Sequence, residues 1–211
     1  MKQKIKKYSV GLCIITAVVL IIIASVLYPG GSIVDKNAIG FDWTKNFISN
    51  LFAAKAINGS ENPARVWATI GIAFHSLGYG IFFIHMAKKI TTKNATRVLK
   101  AIGTTNILFT FLIATPLHDK MVILSSTLFL IGLFYITVYL LKTKLHLFKW
   151  ACISCLLIYY FTLFLYGCGN WGVLAIMQKV CFLSSMLLVI GLEYYTKQED
   201  FSMTKQNSPA Q

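Results

Sequence analysis

The chain has 211 residues, 56% of them hydrophobic, and sets 20 lysines and arginines against seven acidic residues for a formal charge of +13. At a mean hydropathy of +0.67, it carries too little charge to cover a soluble globule of this size, which excludes an ordinary water-soluble enzyme or binding domain. The basic residues are segregated along the chain, so the excess charge fits a membrane face beside anionic headgroups and not a nucleic acid.

About 20 apolar residues cross the hydrocarbon core at ~1.5 Å per residue. Six such runs are predicted, at about 10–28, 66–87, 98–115, 121–141, 150–166 and 173–192. None alternates with period two, so helices are the only spanning structure available. The expected fold class is all-α: a polytopic bundle of six transmembrane helices forming one domain over 1–195, with 196–211 as a disordered cytoplasmic tail.

The first run follows MKQKIKK. It is too long for a signal peptide, and VLYPGGS offers no A-x-A cleavage site, so it is read as a retained helix. Pro29, Gly30 and Gly31 then stop it.

Residues 29–65 form an outer cap between the first two spans. Within 41–57 the apolar residues Phe41, Trp43, Phe47, Ile48, Leu51, Phe52 and Ala56 fall near helical spacing, with Asp42, Lys45, Asn46, Ser49 and Asn50 between them. This predicts an amphipathic helix lying in the interface or folded over the bundle. A passive lid is the plainer alternative.

Span two carries His75 and Ser76 about ten residues deep, roughly 15 Å. Its Gly71, Gly78 and Gly80 give a smooth side that lets a neighbour approach closely, so this helix is expected at the centre. Span three holds Asn106 near the bilayer middle. The turn PLHDK then places His118 and Asp119 at the outer mouth, whereas span four, with Ser125, Ser126 and Thr127, reads as structural.

Span six contains Gln178 and Lys179. A lysine at such depth costs roughly 2.5–3.5 kcal/mol, so it calls for a partner or a watery cavity. The alternative is a side chain stretching to the headgroups.

Lys88, Lys89, Lys93, Arg97, Lys100, Lys142, Lys144 and Lys149 share one side with the N-terminal lysines. By the positive-inside rule both termini are cytoplasmic. Lysine- and isoleucine-rich usage suggests a bacterial cytoplasmic membrane. The five cysteines include a C-x-x-C at Cys152 and Cys155, but with no redox domain around it the pair reads as buried small residues.

There is no H-E-x-x-H, G-x-S-x-G, Walker loop or zinc-finger spacing, so no metal and no cofactor are expected. What remains is an outward-facing polar cavity. In it Lys179 would hold the anionic group of a lipid or other amphiphile, while His75, Asn106 and Gln178 donate or accept hydrogen bonds. Membrane lipids are then the expected partners. A lipid-modifying enzyme using His118 and Asp119, with Ser49 and Asp42 as further candidates, is the alternative, and a small-solute transporter or a scaffold without a site are others.

The segment GFDWTKNFISNLFAAKAINGSENPARVWATIGIAF, with its aromatic-flanked N-x-I-S-x-L element at Asn46 to Leu51, resembles a widespread group of bacterial six-helix membrane proteins of unknown function. More distantly it is similar to the DRAM family and to the lipid-remodelling proteins of GPI-anchor maturation. The resemblance, which lies mainly in residues 40–75, implies a six-helix bundle whose first outer loop is a functional cap, and a link to membrane lipids. Family members commonly place Asp after the serine, where this chain has Asn50.

Overall fold

A computed structural model describes residues 2–90 and 92–202. The elements are α1 (Lys2–Leu27), a 3-10 turn (Ile48–Phe52), α2 (Ala64–Lys89), α3 (Lys93–Leu112), α4 (His118–Leu140), α5 (His146–Gly167), α6 (Trp171–Tyr195) and a short α7 (Gln198–Ser202). Among the described residues there is no strand, only two isolated bridges in the loop between α1 and α2. The fold is all-α.

Five helices, α1, α2, α4, α5 and α6, are long and apolar enough to cross a membrane. Their outward faces carry large apolar side chains left uncovered by the protein, among them Ile15 (60% exposed), Leu157 (63%) and Leu187 (62%). A girdle of that kind needs a non-aqueous neighbour. The chain is a membrane-embedded protein. Helix α3 falls below the other five in apolar character because Lys93, Arg97 and Lys100 occupy its first turns and Thr104, Thr105 and Asn106 follow. It also ends at Leu112, before Pro116, which disfavours helical backbone in the residue preceding it.

Helix α2 is the hub. Of its apolar stretch 61% is buried, against 11% for α5. Small residues make this possible at defined points. A Cβ on Gly80 would meet the Ile107 side chain at 2.2 Å and the Gly103 carbonyl at 2.8 Å, so α2 and α3 touch almost backbone to backbone. Gly78 faces α1 less tightly, where an added Cβ would sit 3.0 Å from Cys13 Cβ. Gly132 of α4 receives the edge of the fully buried Phe83 ring.

One end of the bundle gathers the basic residues, and here the side chains close the helix ends. Lys89 Nζ donates to the carbonyls of Leu192 (2.9 Å) and Glu193 (2.6 Å) at the C-terminus of α6. A cation there offsets the unpaired carbonyls of the last turn. The His85 ring meets the Glu193 carboxylate at 2.6 Å, joining α2 to α6 at the same end.

Two expectations about the segments outside the spans need correction. The amphipathic helix over 41–57 is not formed; only the five-residue 3-10 turn is helical. The tail expected to be disordered from 196 begins instead with α7, whose Phe201 is buried in the main core. Residues 203–211 of that tail, and the side chains of the N-terminal lysines, lie outside the described residues.

Candidate functional site

The loop folds over one end of the bundle because its polar side chains bond to its own backbone, a competition that disfavours helix in Asn-, Asp-, Ser- and Thr-rich segments. Gly30 and Gly31, at φ +142° and +81°, turn the chain where an L side chain would collide with Ala38 and Asn58 backbone. Three asparagines then fasten the rest.

Asn46, fully buried, accepts from Asp42 N (2.9 Å) and donates to the Gly31 carbonyl (2.7 Å). Asn50 Oδ1 accepts from Phe47 N at 2.7 Å, at the start of the 3-10 turn. Asn62 donates to the carbonyls of Leu51 (3.2 Å) and Ala53 (2.9 Å) and accepts from Ala64 N (3.2 Å) in the first turn of α2. Beneath them Tyr28, Ile48, Leu51 and Phe52 pack on Ala64, Ala68 and Ile72. Asn50 thus has a structural task that a neutral amide fills.

Two adjacent residues of α6 tie this cap down from the far side. Gln178 Oε1 accepts from Ile48 N at 2.7 Å. Lys179 Nζ donates to the carbonyls of Asn46 and of Ala175, one helical turn back.

Under the cap is a cavity of about 330 Å³, lined from α2, α3, α4, α5, α6 and residues 47–52. Its wall is mainly apolar. The deep end is aromatic: His75 stacks on Tyr79 (centroids 4.2 Å apart) and lies 5.2 Å from Phe182, Tyr79 meets Phe129 at 5.6 Å, and Phe129 meets Tyr159 at 4.9 Å. At the mouth, Trp171 stands edge-on to Tyr166 at 5.7 Å.

The structure brings most of the expected site residues together. His75, Asn106 and Gln178 line the cavity, as do His118, Asp119 and Ser49. Lys179 and Asp42 do not. The lysine's reach is taken up by the two carbonyls, so its charge secures the cap instead of facing a ligand. The Asp42 carboxylate turns back on its own loop, accepting from Thr44 N (2.8 Å) and Thr44 Oγ1 (2.6 Å), with Lys45 at 3.4 Å. The Thr44 hydroxyl and amide, with a smaller share from Lys45, lower its pKa to about 2.

Both ring nitrogens of His75 are buried without a hydrogen-bond partner among the described residues. Such groups are nearly always satisfied in folded proteins, so an orphan pair on a residue that lines a cavity marks a place for something else. Asn106 Oδ1 accepts from Ser125 Oγ (3.0 Å), which is in turn 2.6 Å from Thr110 Oγ1. With its carbonyl occupied, the Asn106 amide keeps donors for the cavity. Sequence reasoning passed over Ser125 as structural, and nothing short of the α3–α4 register pairs it with Asn106.

His118 Nδ1 lies 2.8 Å from the Ile113 carbonyl and so carries the proton, leaving Nε2 as the acceptor in the neutral ring. No carboxylate orients this imidazole, and no hydrogen bond joins it to Ser49 among the described residues. A Ser-His-Asp relay is therefore not assembled. Nor, among the described residues, do three His, Cys, Asp or Glu side chains gather where an ion could be held.

The fold and cavity together define a class, that of helical membrane proteins with a chamber covered by a folded loop. No family model, curated protein or solved structure matches the chain.

Proposed function

We propose that this is a six-span protein of a bacterial cytoplasmic membrane, with both termini cytoplasmic, that binds a lipid or another amphiphile in the cavity beneath its loop. The observation that carries this reading is the coincidence of a mainly apolar chamber of about 330 Å³ with an unpartnered His75 at its deep end. Ligand pockets run from ~300 to 1,000 Å³, mostly apolar with a few convergent polar groups, and this chamber sits at the small end of that range. An amphiphile gains about 25 cal/mol for each Å² of apolar surface it buries there.

Helix α3 serves as the sixth span: in its outer half Asn106 and Thr110 are buried and bonded toward α4, while Leu108 and Phe111 are exposed outward. The orientation rests on the basic residues at the end opposite the cap. Resemblance of residues 40–75 to lipid-linked membrane families points the same way.

The test is mass spectrometry of molecules retained by gently purified protein, compared with Val122→Trp, which places an indole in the chamber. Wild type should carry an amphiphile that the variant has lost; equal retention by both puts the ligand elsewhere. A lipid-modifying activity is the second reading, favoured by the free Nε2 of His118 beside Ser49 and Asp119 at the mouth.

A further inference from the structure

The chamber binds a particular kind of amphiphile, and its lining says which. No lysine or arginine is among the lining residues, and the one acidic side chain there is Asp119, exposed at the mouth. Lys179, the cation expected to hold an anion, is committed to Asn46 and Ala175. A carboxylate or phosphate carried to the deep end would be desolvated with no opposite charge to meet it. The buried end of the ligand is therefore uncharged.

Its hydrogen-bonding pattern follows from the residues left unsatisfied. His75, 8% exposed, presents a neutral ring with one N–H and one acceptor nitrogen, neither of them paired. Asn106, 2% exposed on α3, has given its carbonyl oxygen to Ser125 and keeps the amide as a donor. Two neutral donors from neighbouring helices thus await acceptor oxygens.

Its shape follows from the walls. Tyr79, Phe129, Tyr159 and Phe182 surround the same deep end, with ring planes inclined by only 30° between His75 and Tyr79 and 31° between Phe129 and Tyr159. Aromatic faces prefer an offset-stacked or edge-on ring to a bundle of methylenes. Away from these rings Ile113, Val122, Ile123, Leu163 and Leu174 add aliphatic wall, which suits a hydrocarbon tail.

We infer that the cavity takes a flat, uncharged, carbonyl-bearing ring on an apolar tail, a quinone-type headgroup, with His75 and Asn106 donating to its oxygens among Tyr79, Phe129, Tyr159 and Phe182. This rests on the amphiphile reading above and narrows it.

The experiment uses purified full-length protein in detergent and compares three probes: a short-chain benzoquinone, lauroylglycerol as a neutral amphiphile without a ring, and lauric acid as an anionic one. Tryptophan quenching follows the quinone, and competition ranks the other two. The expected result is quinone binding about ten-fold tighter than either competitor, with His75→Phe and Asn106→Leu each weakening the quinone about ten-fold. Phe keeps the ring and removes only the nitrogens. If lauroylglycerol binds as well as the quinone, or both folded variants hold the quinone unchanged, the ring assignment is overturned while amphiphile binding stands. Preference for lauric acid overturns the argument from charge. Saturable binding of none of the three overturns the amphiphile reading itself. Should either variant elute as aggregate, the wild-type ranking decides alone.

Discussion

Gln178 Oε1 and Ile48 N are 130 positions apart in the chain and 2.7 Å apart in space, and this one hydrogen bond joins the start of the 3-10 turn to the sixth long helix. The side chain has two faces of use, because the same residue lines the cavity. Removing it exposes a backbone N–H that has no other partner. Gln178→Leu should cost about 1–2 kcal/mol and raise amide exchange at Ile48, while Gln178→Glu, which keeps an acceptor, should protect that amide. Equal exchange in both variants removes the bond from the account of the cap.

Lys179 is expected to behave unlike a ligand-binding residue. Lys179→Met should lower the melting temperature, since a charged donor to the Asn46 carbonyl is worth ~1.5–3 kcal/mol when shielded and less at this half-exposed position. Whatever amphiphile co-purifies should remain bound. Loss of that molecule from a well-folded variant returns the lysine to the site.

Asn62 supports both the loop and the start of α2, so its replacement should loosen them together. Asn62→Ala removes the donors to Leu51 and Ala53 and the acceptor for Ala64 N, a loss of about 1–3 kcal/mol. Asn62→Asp keeps the acceptor and should lose only part of this. Limited proteolysis within residues 41–60 reads the difference directly.

At Asp42 the expected effect is one of pH. A carboxyl group whose folded pKa is depressed to about 2 from 3.8 contributes stability above the higher value and gives it up as pH falls through the lower. Since the largest cause is the Thr44 hydroxyl, Thr44→Val should bring the midpoint back toward 3.8. Carbon-detected titration of the Asp42 carboxyl decides this, with Trp43 emission as a local reporter. An unchanged midpoint assigns the shift to the Thr44 amide and Lys45.

The membrane orientation has its own reporter. Asn58-Gly-Ser and Asn94-Ala-Thr are acceptor sequences for N-glycosylation, and both asparagines are exposed, one in the cap and one at the start of α3. With the termini cytoplasmic, expression in a eukaryotic host should modify Asn58 alone. Sugar on Asn94 reverses the assignment.

Run length and hydropathy were enough to place the six long helices, because lipid leaves the backbone few alternatives. The cap was misread for a local reason. Its apolar spacing mimics a helix, yet Asp42, Asn46 and Asn50 each offer the backbone a partner that outcompetes the i to i−4 bond, and Phe47 stays extended. Depth alone singled out His75, Asn106 and Gln178, and these do share one chamber. It could not say where a flexible lysine would end, nor that Ser125 meets Asn106 across the α3–α4 interface. Those depend on helix rotation, which a chain of nearly uniform greasiness does not encode.

Gly80 and Gly103 leave no gap between α2 and α3, and Gln178 and Lys179 rivet the roof to α6. Two walls of the chamber are thus in direct contact and its ceiling is fastened to a third. A bulky guest is therefore left the mouth beside His118, Asp119 and Trp171 as its entrance, and a crosslink from α4 to α6 across it should bar the door without touching the room.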